Sequence, residues 1–152
     1  MLVFAWGNPS RGDDALGPAL VERIEQALPD HPEWGLVALL TDFQLQPEHA
    51  LDLDGHGRVL FVDAGVSCAP PFVFDRLQPQ AGFGYTTHAM QPEALLAVFR
   101  QVTGREPPPA WLLTIRGLSF ELGEPLSAGG EQHLAEAIRF VESFLADLGQ
   151  RS

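Results

Sequence analysis

The sequence holds a single cysteine, Cys68, so no disulfide can close within the chain. A lone cysteine is more often a small buried hydrophobe than a nucleophile. Basic residues are also scarce: nine Lys and Arg stand against twenty Asp and Glu, for a net charge of −11. Nucleic acid and anionic membrane surfaces both demand a basic footprint, so neither is expected as a partner. No apolar run is long enough to span a bilayer, and Met1 to Ala5 contains no basic segment leading to a small-residue cleavage site. A soluble, cytoplasmic protein is the expectation. Self-contained chemical motifs are missing too. There is no H-E-x-x-H, no C-x-x-C, no G-x-S-x-G elbow and no Walker lysine. Repeats and low-complexity segments are absent, and the one loose stretch is Pro107-Pro108-Pro109. At 152 residues the chain is expected to form one domain, residues 1–152, with a substantial core.

What is present centres on Trp6 to Leu20, which reads W-G-N-P-S-R-G-D-D-A-L-G-P-A-L. It follows the apolar run Leu2 to Ala5 and precedes Leu16, Leu20, Ile24 and Leu28, which share one helix face. The stretch therefore joins a first strand to a first helix, where open α/β sheets place their ligands. Gly7, Pro9 and Gly12 make it a tight turn, in which Asn8 and Ser10 can bond back to the backbone. Asp13 and Asp14 arrive together at the helix start. One carboxylate there can cap free N–H groups; two cannot fill the same cap, which leaves one for chemistry such as metal binding.

Further strands are expected at Gly35 to Leu40, Val59 to Val62, Phe72 to Leu77 and Trp111 to Ile115. Pro47 opens a short helix over Glu48 to Leu53, Pro92 opens one that Gly104 stops, and a last helix runs from about Glu131 to Leu148. Phe72 to Leu77 follows its predecessor too closely for a helical crossover, which makes it an antiparallel edge strand. Strands alternating with helices give a three-layer α/β/α sandwich around a mostly parallel sheet of about five strands.

Polar residues gather at the strand ends. Asp63 follows the fully apolar run Val59 to Val62, and His88 ends the Gly-rich stretch G-F-G-Y-T-T-H. Two carboxylates and an imidazole make a partial coordination sphere for a divalent transition metal, and oxygen and nitrogen ligands alone fit Zn, Ni, Fe or Mn.

The loop G-N-P-S-R-G-D-D-A-L-G resembles the G-N-x-L-x-x-D-[DE]-x-x-G signature of the [NiFe]-hydrogenase maturation endopeptidases. Val62-Asp63-Ala64, Thr87-His88-Ala89 and the segment Ser119 to Ser127 look like that family's later motifs, in order and at fitting distances. This resemblance implies an endopeptidase that removes the C-terminal extension of the hydrogenase large-subunit precursor once nickel has been inserted. The nickel belongs to the substrate and acts as the recognition element; no organic cofactor is implied. Carried over, the ligating positions are Asp14, Asp63 and His88. Asn8 and Asp42 are the candidates for contacting substrate, and Asp13 is a candidate base beside its capping role. One departure stands out: the family's D-G-G-T or D-F-G-T is here Asp42-Phe43-Gln44-Leu45, so only Asp42 is kept. Gln-Leu followed by a Pro-Glu helix is similar to the branch serving bidirectional, NAD(P)-linked hydrogenases. The alternatives are a nickel-dependent protein that holds the precursor without cutting it, a thiol hydrolase using Cys68 with His88, and nucleotide binding at the Gly7 to Gly12 loop, which two carboxylates would oppose.

Overall fold

The computed structural model of the protein describes residues 1–80 and 90–151. The first strand, β1 (Leu2–Trp6), is buried along its whole length, as befits an uninterrupted apolar run near the middle of a sheet. It lies between β2 (Ala38–Asp42) and β3 (Val59–Gly65), and the sheet is completed by β4 (Phe72–Leu77) and β5 (Ala110–Arg116) in the order β2-β1-β3-β5-β4. All neighbours run parallel except β4, which is antiparallel to β5 at the edge. The short connection from β3 to β4 leaves no room for a crossover helix, so the expected reversal is what forms.

Alternation along the strands divides the core into two layers. Leu2, Phe4 and Trp6 face one side with Phe61, Leu95 and Phe99, whereas Val3 and Ala5 face the other with Leu16, Leu20 and Val141. Helices α1 (Leu16–Ala27) and α3 (Ala128–Arg151) cover the second side. The first side is covered by α2 (Pro92–Thr103) and a 3-10 segment, Pro47–Leu53. The expected stripe of α1 is the buried one: Leu16, Leu20 and Ile24 have no exposed surface, and each such burial contributes about 1.5–3 kcal/mol. Pro92 starts α2, and Gly104 ends it in a left-handed conformation at φ 70°. The three layers anticipated from the sequence are all present.

The second strand and the segment after Pro47 differ from the sequence pattern. The second strand starts at Ala38 rather than Gly35, because Pro32–Trp34 forms a 3-10 turn that Gly35 leaves at φ 74°. That turn buries Trp34 in the α1/α3 layer, with His31 stacked on it at 4.2 Å, so packing of one indole sets where the strand begins. The segment after Pro47 is 3-10 rather than α-helical. No helix among the described residues is long and apolar enough to cross a membrane.

Candidate functional site

Because β1, β2 and β3 are parallel, their carboxyl ends meet at one edge of the sheet, and the Gly7 loop is folded down onto that edge. The Gly7 N–H donates to the Asp42 carbonyl (3.0 Å), Ser10 N–H to Asn8 Oδ1 (2.9 Å) and Asn8 N–H to Asp14 Oδ2 (2.7 Å). Gly7 sits at φ 148°, and a Cβ there would collide with the Asp14 backbone carbonyl. Within the first turn of α1, Gly17 lies against the carbonyls of Val62 and Trp6, where a Cβ would stand 3.0 and 3.1 Å away. The first turn of α1 therefore rests directly on two strand ends. This close approach is what fixes Asp14, half-buried, beside β3.

Asp63 belongs to the same strand face as Phe61 and Trp6 and is half-buried at the end of β3. Burial pushes its carboxyl up to about 7; hydrogen bonds from the Ala64 N–H (2.8 Å) and the Trp6 side chain act the other way, while the negative charge of Asp14 raises it further. The charge of Asp14 thus reaches Asp63. Such a pair can share a cation, which relieves its repulsion, and Asp63 can exchange a proton near neutral pH. The third residue of the expected set, His88, lies outside the described residues. Among the described residues no group of three His, Cys, Asp or Glu side chains is poised to hold a metal ion.

Asp13 is not what the sequence pattern suggests. It caps no N–H of its own helix and is no candidate base, because its side chain is fully buried and both carboxylate oxygens are occupied. Oδ2 accepts from Leu118 N–H (2.7 Å), Ser119 N–H (3.2 Å) and the Ser127 hydroxyl (2.6 Å), and Oδ1 accepts from Ser127 N–H (2.8 Å). Burial alone would raise its carboxyl, but these hydrogen bonds outweigh it and hold the group below the ordinary carboxylate range. Ser127 in turn accepts from Gly130 N–H (2.9 Å), capping the start of α3. Asp13 therefore ties the first loop to the segment after β5, leaving Asp14 as the acid that faces the site.

Asp42 ends β2 with an exposed side chain. Its Oδ1 accepts from Phe43 N–H (2.7 Å) and its Oδ2 from His49 (2.9 Å), which hold its carboxyl below the usual range despite some burial. Asn8 is half-buried, with its Oδ1 engaged by the Ser10 N–H within the turn. Cys68 is half-buried against the Thr114 carbonyl, and burial pushes its thiol up, the opposite of an activated nucleophile.

Three contributors were not singled out from sequence. The sequence pattern puts Trp6 at the head of the Gly7 loop, His49 within a short helix and Ser127 within a tail motif. Only Ser127, standing before the small-residue start of a helix, carries a recognisable local signal, that of an N-cap.

No protein-family model and no curated protein matches the sequence. Solved structures do. The hydrogenase maturating endopeptidase HybD from E. coli superposes with a TM-score of 0.73 at 23% identity, covering 97% of this chain and 93% of that one. The [NiFe] hydrogenase maturation protease HycI from Thermococcus kodakarensis gives 0.69 at 22% identity over 95% and 91%. A hydrogenase 2 maturation peptidase from Thaumarchaeota archaeon SCGC_AB-539-E09 gives 0.65 at 23% identity over 95% and 97%. From end to end, this chain has the fold of the hydrogenase maturation endopeptidases.

Proposed function

We propose that this protein is an endopeptidase that removes the C-terminal extension from the nickel-loaded large-subunit precursor of a [NiFe]-hydrogenase. The observation that carries the reading is the pairing of Asp14 with Asp63 at the carboxyl edge of the sheet. Two carboxylates at one sheet edge, one raising the other, suit the binding of a metal delivered by the substrate. Asp14, Asp63 and His88 would complete the coordination of that nickel, fixing the scissile bond in one pose so that positioning supplies much of the rate. The likeness in fold to proteins named as maturation endopeptidases supports the same reading. Gln44-Leu45 followed by Pro47-Glu48 further suggests a partner among the bidirectional, NAD(P)-linked hydrogenases, and the reaction would take place in the cytoplasm.

The test is processing of the nickel-loaded precursor, read by intact mass, with the Asp14→Asn, Asp63→Asn and His88→Ala variants. Each should lose cleavage by at least 100-fold on the scale of a lost site residue while unfolding cooperatively like the parent. Normal cleavage by any one variant would remove that residue from the site. A tight complex of wild-type protein and precursor without any mass change would assign a nickel-dependent holding role instead.

A further inference from the structure

His49 is placed where its chemistry can be read from its neighbours. The Gln46 N–H can only donate, so His49 Nδ1 accepts (2.9 Å) and the ring proton sits on Nε2, directed at Asp42 Oδ2 (2.9 Å). Phe4 packs edge-on against the ring at 4.9 Å and 90°, which fixes its plane. With 8% of its surface exposed, His49 has little surface of its own to offer a ligand. Asp42 is exposed, and it lines an open hollow of about 280 Å³ with Gly7, Pro9, Pro18, Thr41 and Phe43. A carboxylate has about four acceptor positions, of which Phe43 and His49 occupy two.

The hollow has a distinct character. Its walls are largely apolar, from Pro9, Pro18 and the 69%-exposed ring of Phe43, with one oriented acceptor among them. β2 is an edge strand, so a polypeptide segment extended beside its end would bring backbone N–H groups to that acceptor. We propose that His49 is a positioning residue: it holds Asp42 as a fixed acceptor for a backbone N–H of the polypeptide seated in this hollow. The inference rests on the reading above that the ligand is a polypeptide substrate.

The experiment is steady-state cleavage of the nickel-loaded precursor. His49→Phe keeps a ring against Phe4 but removes the donor; KM should rise about tenfold with kcat within about twofold, on the scale of one charge-assisted hydrogen bond. His49→Gln, whose amide can donate, should bring KM back to within about threefold. Asp42→Ala should raise KM at least as much, and adding His49→Phe to it should change nothing more. An unchanged KM in a folded His49→Phe protein, or a rise that persists in the Asp42→Ala background, overturns the inference. Should His49→Phe fail to fold, 15N shifts of the wild-type ring decide: a bare Nδ1 and protonated Nε2 support the assignment, and the reverse tautomer refutes it. If the wild type cuts nothing, the proposed activity fails separately, and the same variants are then read by the Kd of the precursor.

Discussion

Replacing Asp13 probes the part of the site that the sequence pattern misread. Asp13→Ala would strand three part-buried backbone donors, from Leu118, Ser119 and Ser127, together with the Ser127 hydroxyl. An orphaned buried donor costs about 1–3 kcal/mol, but the hydroxyl can rotate and water can enter the vacated space, so the lower end applies and the sum is about 3–5 kcal/mol. At 2–4 °C per kcal/mol for a chain of this size, that is a fall in Tm of about 10 °C. Asp13→Asn should cost roughly half as much, since an oxygen can remain at the three-donor position while the amide opposes only Ser127 N–H. Urea unfolding followed by tryptophan fluorescence measures both. The folded-state carboxyl is depressed, so its stabilisation is present above about pH 4 and is lost as pH falls through the folded value. The gap between wild type and Asp13→Ala should accordingly be constant near neutrality and close in acid. A loss below about 1 kcal/mol, or a gap that widens in acid, would refute the reasoning.

Asp63 should behave in the opposite sense. Its carboxyl is raised from 3.8 to about 7, so the folded protein is stabilised by protonation and weakens as pH rises from 4 to 7. At about 1.4 kcal/mol per unit, Asp63→Asn should be more stable than wild type by up to about 3–4 kcal/mol at pH 8 and equal to it near pH 4, as chemical denaturation at both pH values would show. Ser127→Ala removes both a cap of α3 and a donor to Asp13; it should cost about 1–2 kcal/mol and be partly redundant with Asp13→Ala in a double-mutant cycle. Gly7→Ala forces a side chain into the Asp14 carbonyl at φ 148° and should destabilise by more than about 2 kcal/mol, again by urea unfolding.

The layers were legible because local pattern and burial coincide: apolar runs such as Val59 to Val62 are central strands, and Leu16, Leu20 and Ile24 are one buried stripe. That the Asp13-Asp14 pair and Asp63 come to one edge was legible from position, since parallel strands deliver their ends there, whereas the choice of Asp14 within the pair came from the family resemblance. The role of Asp13 was not, because its partners lie more than a hundred residues away and act through backbone N–H groups that any residue could supply. Helix-capping preference spoke for a local cap, and a tertiary contact won. His49 escaped notice for a related reason. Its link to Asp42 spans seven residues of loop and a 3-10 turn, which no helical or strand period reveals. The start of β2 was displaced by the burial of Trp34, again a tertiary demand overriding an apolar run.

The most direct test of the account is to incubate the wild-type protein with the large-subunit precursor, with and without inserted nickel, and to weigh the products intact. Loss of a C-terminal peptide from the nickel-loaded form alone is the predicted result. Cleavage of both forms alike would contradict recognition through the metal at Asp14 and Asp63.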